Sequence, residues 1–140
     1  MSSRLLTTAF SLVFLAGCAA PGPYAEVTGD KITRADAREE RIRLLGVDDK
    51  LELTRTMTQT IEPGFRRILM DSARQGRRSK ASSMVVPLNA KPCHRYYFVA
   101  VHENMTAVEP WELLLKEVEV IPECVAKFPH TAPLPPKPAG

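Results

Sequence analysis

The chain has 140 residues, with 19 Lys and Arg against 16 Asp and Glu and a net charge of +3. So even a balance argues against a nucleic-acid partner, which calls for a clearly basic domain with clustered phosphate contacts. The length suits one modest domain, and a core that small gains from a covalent staple.

Met1-Ser2-Ser3-Arg4 supplies a short positive start, and residues 5–16 form an apolar run shorter than the about 20 residues a permanent span needs. Residues 1–17 therefore read as a signal peptide. The run ends in Leu15-Ala16-Gly17-Cys18, which resembles the lipobox of bacterial lipoproteins at all four positions. The resemblance implies cleavage before Cys18, diacylglycerol on its sulfur, and an acyl chain such as palmitate on the freed amine. One acyl chain anchors marginally, at about 0.8 kcal/mol per buried CH2, whereas two or three hold firmly. Ala19, in place of Asp, implies sorting to the outer membrane with the protein facing the periplasm, as in Gram-negative lipoproteins. The competing reading is an ordinary secretory signal, or a buried N-terminal helix, that happens to carry a thiol. Against it, Ala19-Ala20-Pro21-Gly22-Pro23 cannot continue a helix and behaves as a spacer. Removing residues 1–17 takes away one Arg and no acid, so the mature chain keeps 18 basic against 16 acidic side chains.

With Cys18 assigned to lipid, Cys93 and Cys124 remain as an even pair in an oxidising compartment, and a disulfide is expected. A metal site using His94 or His102 is the alternative, but the spacing is neither C-x2-C nor H-x3-H, so no metal is expected. A bridge closing some thirty residues should stabilise by about 3 to 4 kcal/mol.

Residues 18–40 read as the lipidated cysteine and a flexible spacer, although Thr33-Arg34-Ala35-Asp36 also fits a helix cap. A strand is expected over 41–47, running into a turn at Gly46-Val47-Asp48-Asp49. The segment 55–61 is Thr-rich and alternates Met57, Gln59 and Ile61. Glu62-Pro63-Gly64 follows, and an apolar stretch resumes at Phe65–Met70. Pro63 supplies the fixed φ and Gly64 the positive φ of a type II turn, giving a strand, turn, strand unit. This phrase resembles, over about fifteen residues, the PEGA-type β-sandwich repeats of bacterial envelope proteins. Residues 73–80 form a polar loop, and 83–88 a short strand whose Pro87 suggests an edge strand or a strand end.

Arg95–His102 is aromatic and β-branched on both faces, as expected of a central strand. Trp111–Ile121 fits two patterns. As a helix it puts Trp111, Leu114, Leu115, Val118 and Ile121 on one face with Pro110 at the first position; as a strand it alternates at its end. A hairpin folded near Val108 would set Cys93 and Cys124 opposite each other at its open end, which favours the strand. From Phe128 onward five prolines and little to bury predict a disordered or polyproline tail, either inert or a ligand for a partner's groove.

There is no G-x-S-x-G, H-E-x-x-H, glycine-rich phosphate loop or C-x-x-C, so no catalytic residue, cofactor or enzyme activity is expected. Glu103, Glu109, Glu112, Glu117, Glu119 and Glu123 could be imagined as paired carboxylates of a glycan hydrolase, but nothing in their spacing marks a buried pair, and a solvated face explains them. Arg66, Arg67, Arg74, Arg77, Arg78 and Lys80 face only Asp71 along the chain from 66 to 80. They form a possible patch for lipid phosphates or another anionic partner, or else a solvated loop that guards strand edges.

The expected architecture is all-β: a small antiparallel sandwich of six or seven strands over 41–127, after a signal peptide (1–17) and a lipidated spacer (18–40) and before a Pro-rich tail (128–140). The expected role is a lipid-anchored binding or assembly module of the bacterial envelope with a protein partner there. The alternative is a passive structural lipoprotein that contacts peptidoglycan or anionic lipid.

Overall fold

The computed structural model describes residues 22–32, 36–74, 83–107 and 110–131, the side chains of 52–55 excepted. The signal peptide, Cys18, Arg77, Arg78, Lys80, Glu109 and the tail beyond Thr131 lie outside the described residues. The elements in chain order are β1 (Ala25–Thr28), β2 (Glu39–Glu40), β3 (Ile42–Val47), β4 (Lys50–Thr56), β5 (Thr58–Ile61), β6 (Gly64–Ser72), β7 (Met84–Ala90), β8 (His94–His102) and β9 (Trp111–Val120), then helix α1 (Pro122–Lys127) and a 3-10 turn at Pro129–Thr131.

Two sheets form. One runs β4-β3-β6-β7. In the other, β9 pairs with β8 along its whole length, while β1 and then β2 share the opposite side of β8 and β5 lies outside β1. Ala25, Val27, Ile61, Tyr96, Phe98 and Ala100 from this sheet meet Ile42, Leu44, Ile68, Met70 and Leu88 from the other in a single buried cluster. The protein is therefore a small β-sandwich whose stability comes mainly from the apolar area between its layers.

Several expectations hold. Trp111–Val120 is a strand, antiparallel to β8 with His94 opposite Val120, and Cys93 and Cys124 at the open end are joined in a disulfide with Cα atoms 5.2 Å apart. Pro87 lies in β7, an edge strand, where a missing N–H costs no ladder bond. Gly64 takes φ +102°, as the turn requires. At the β3–β4 turn Asp48 and Asp49 take φ 49° and 65°, the left-handed pair of a type I′ hairpin.

Others need correcting. Residues 25–28 are not spacer: β1 is inserted between β8 and β5, with Ala25 and Val27 fully buried, so the domain starts some sixteen residues before position 41. It also extends past 127, because Phe128 packs on the disulfide and the Thr131 hydroxyl donates to Cys93 Sγ at 3.1 Å. The pairing is not wholly antiparallel, since β1 and β8 run parallel. Among the described residues nine strands replace six or seven, because β1 and β2 lie in the segment read as spacer and the Thr-rich stretch is two elements. The chain leaves one sheet at Thr56, bends at Met57, and enters the other at Thr58. The Glu62-Pro63-Gly64 turn then carries it back, so the strands on either side of that turn belong to different sheets. Helix α1 was not anticipated; Pro122 at its first turn and buried Cys124 fix it over the end of the sandwich.

Edge strand β9 carries a register shift opposite Tyr97 and Phe98, where Lys116 is the extra residue. Such a bulge discourages further strand pairing along an exposed edge.

Candidate functional site: a charged cleft on the outer face of the β8 sheet

Alternation along β8 sends Tyr96, Phe98 and Ala100 into the core, and Arg95 and Tyr97 to the outer face. The register then builds two cross-strand rows. Glu26, Arg95 and Glu119 stand side by side on β1, β8 and β9. One step along, Thr58, Thr28, Tyr97 and Glu117 line up on β5, β1, β8 and β9. The rows enclose an open cleft of about 420 Å³ lined by Glu26, Thr28, Asp30, Lys31, Thr58, Arg95 and Tyr97.

Arg95 forks between two carboxylates, its Nε donating to Glu26 at 2.6 Å and its Nη1 to Glu119 at 2.7 Å. The Tyr97 hydroxyl donates to the same Glu119 oxygen at 2.5 Å, and Thr28 and Thr58 share a hydroxyl bond of 2.7 Å. Lys31 pairs with Glu117 and places its Nζ 4.4 Å from the Tyr97 ring centroid. Both members of that pair are nearly half exposed.

These contacts shift the acid–base equilibria. The Tyr97 hydroxyl and the Arg95 guanidinium hold the Glu119 carboxyl below the usual carboxylate range. Burial, reinforced by the Glu119 carboxylate, pushes the Tyr97 phenol up. Hydrogen bonds to Tyr97, Glu26 and Glu119 raise Arg95, and Glu117 raises Lys31. Asp48, held by the Arg67 backbone N–H and by Arg66, and Asp36, held by Arg38, are likewise depressed. A carboxyl with a depressed folded pKa contributes stability above its unfolded pKa, and that contribution fades as pH falls through the folded value. The urea midpoint should therefore stay level from about pH 5 to about pH 8 and fall below about pH 4. Glu119→Gln should flatten part of that acid limb; an identical limb in the variant would contradict the role given to Glu119.

The arginines expected to form an anionic-partner patch are committed to internal partners where they are described. Arg66 pairs with Asp48 and Glu62, and Arg67 with Asp49. Arg74 binds the carbonyls of Ala37, Asn104 and Ala107 and lies beside Glu40, so it ties together the loops at one end of the sandwich. Of the acidic residues, Glu117 and Glu119 pair with the cleft-lining Lys31 and Arg95, while Glu103, Glu112 and Glu123 are exposed elsewhere.

Ser72 Oγ and His102 Nε2 lie 2.9 Å apart, but both residues are buried, 2% and 1% exposed. Among the described residues no group of three or more His, Cys, Asp or Glu could hold a metal ion. Sequence reasoning missed Arg95, Lys31, Glu26, Thr28 and Thr58 as a group, because only the pairing register brings them together. The available signal was the alternation of polar-tipped Arg95 and Tyr97 with core-facing Tyr96 and Phe98. Comparison with known proteins finds no matching family model, no matching curated protein and no matching solved structure.

Proposed function

We propose that this chain is a lipid-anchored lipoprotein of the bacterial envelope, tethered through Cys18, and that its sandwich is a binding or assembly module. The observation that carries the reading is Leu15-Ala16-Gly17-Cys18 at the end of a basic-then-apolar leader. The paired state of Cys93 and Cys124 supports it, since stable disulfides belong to oxidising compartments and the pairing leaves Cys18 over for a separate role. Ala19 favours the outer membrane, facing the periplasm. The domain's polar cleft suits recognition of a partner.

Mass spectrometry of the chain recovered from the membrane fraction tests the anchor. The expected product begins at Cys18 and carries diacylglycerol and a further acyl chain, and Cys18→Ser should leave the unprocessed precursor. A mature chain starting at another residue, or a Cys18→Ser variant processed normally, would sink the proposal. Crosslinking in intact cells followed by purification tests the module: a specific envelope component is expected, and recovery of the chain alone counts against it.

A further inference from the structure

We propose that the cleft over Arg95 and Tyr97 binds an uncharged, hydroxyl-rich saccharide chain. The inference deepens the reading of the sandwich as a binding module and does not depend on the lipid.

The cleft's own chemistry narrows the ligand class. The lining sets Glu26 and Asp30 against Lys31 and Arg95, and both cations are already paired, Lys31 with Glu117 and Arg95 with Glu26 and Glu119, so an anion would find no uncompensated positive charge. A bare cation is no better served, because Arg95 itself bridges the two central carboxylates. An extended peptide adding itself as a strand needs free backbone groups, whereas the cleft floor is β5, β1, β8 and β9 paired to one another. Binding must therefore run through side chains. What the side chains offer is an alternation of donors and acceptors around one aromatic ring.

Among the described residues, Arg95 Nη2 makes no hydrogen bond, and neither do Glu26 Oε1 and Glu119 Oε2. These uncommitted atoms belong to a row held together by the Arg95 fork, and the Glu119 bond holds the tip of the Tyr97 ring. A sugar hydroxyl both donates and accepts, so adjacent hydroxyls can bond a guanidinium and a carboxylate at once. The C–H face of the same ring packs on tyrosine, which is apolar in body and polar at its tip. The cleft volume of about 420 Å³ falls in the range of small-ligand sites.

Lys31 is the movable part. It lies over the Tyr97 ring, where the sugar face must go, and its side chain is 43% exposed. Binding then displaces a weak surface ion pair, a small penalty.

Calorimetric titration of the purified full chain with a tetramer of N-acetylglucosamine and with a tetramer of glucose tests the proposal. Millimolar or tighter binding of at least one is expected, and the preferred sugar shows whether the acetamido group is read. Arg95→Gln should weaken binding about tenfold, the loss of one charged hydrogen-bonding partner. Because that change also touches the sheet, Lys31→Ala gives a separate reading on an exposed residue. It should tighten binding about threefold by uncovering the ring. A purely structural role for Lys31 predicts no such gain, and an unchanged or weaker affinity in this variant overturns stacking on Tyr97. Absence of binding to either tetramer overturns the whole inference, while the mass of the mature chain independently decides the lipid anchor.

Discussion

Replacing Gly29 with alanine should be among the most damaging single changes in the protein. A Cβ built at this position would lie 2.1 Å from the Ile42 carbonyl oxygen and 2.7 Å from the Ile42 carbonyl carbon and Cβ. The obstacle is mainly backbone, so no flexible side chain can move to make room. Gly29 also ties the layers together: its N–H donates to the Met57 carbonyl at 2.7 Å, and its carbonyl accepts from the Ile42 N–H at 3.2 Å. The end of β1, the start of β3 and the bend between β4 and β5 thus meet at one residue that has no side chain. Overpacking there should cost about 3 kcal/mol, at the upper end for core insertions, and lower the melting temperature by roughly 12–24 °C. Gly22→Ala is the control, because a Cβ there meets nothing within 4 Å. Equal melting temperatures for the two variants would show that the close crossing at Gly29 does not exist in solution.

Removing the disulfide should be of similar size. Cys93 and Cys124 are separated by 31 positions, and closing such a loop in the unfolded chain corresponds to about 3.5 kcal/mol in the chain-entropy treatment. The double variant Cys93→Ala, Cys124→Ala should therefore lower the urea midpoint strongly without abolishing the sandwich, whose main core cluster contains neither cysteine. The loss should be greatest in α1. Six residues are too few for an independent helix, and α1 is held by Cys124, Ile121, Val125 and Phe128 against Tyr24. Amide exchange should accelerate there first, with β6 and β8 protected for longer. Cys93 also takes φ 56°, which disfavours any residue with a Cβ. Glycine instead of alanine at 93 in the double variant should recover about 1 kcal/mol, and failure to do so would argue that the left-handed turn does not persist without the bridge.

The elements legible in the sequence are those whose local pattern and long-range partner agree. Arg95–His102 is aromatic and β-branched on both faces, as a central strand must be, and the placing of Cys93 before it and Cys124 after Trp111–Ile121 decides between helix and strand for the latter. Gly64 and Pro87 are readable because their backbone chemistry admits few settings. Residues 25–28 are not: Ala25-Glu26-Val27-Thr28 is four residues long, follows a Pro/Gly stretch, and becomes a strand only because β8 and β5 offer two ladders to fill. The sheet change at Met57 is equally silent, since Thr-rich strands look the same whichever sheet receives them. The cleft was illegible for a related reason. Glu26 and Arg95 are 69 positions apart and become neighbours only through a parallel pairing, and Glu119 reaches Arg95 only in the register the bulge at Lys116 sets. Glu117 and Glu119 were expected on a solvated face; register turns them, with Tyr97, into one constellation.

The early start of β1 has a geometric consequence for a chain anchored at Cys18. Only seven positions separate that cysteine from Ala25, a reach of at most about 25 Å even when fully extended. The Tyr24 carbonyl accepts the Cys93 N–H, so in a chain held by lipid at Cys18 the disulfide end of the sandwich would be the pole nearest the anchor. The Ser72–His102 contact lies at the other end of the nine-residue β8, about 30 Å away. The far pole, with the buried Ser72–His102 contact, would then stand farthest from the anchor.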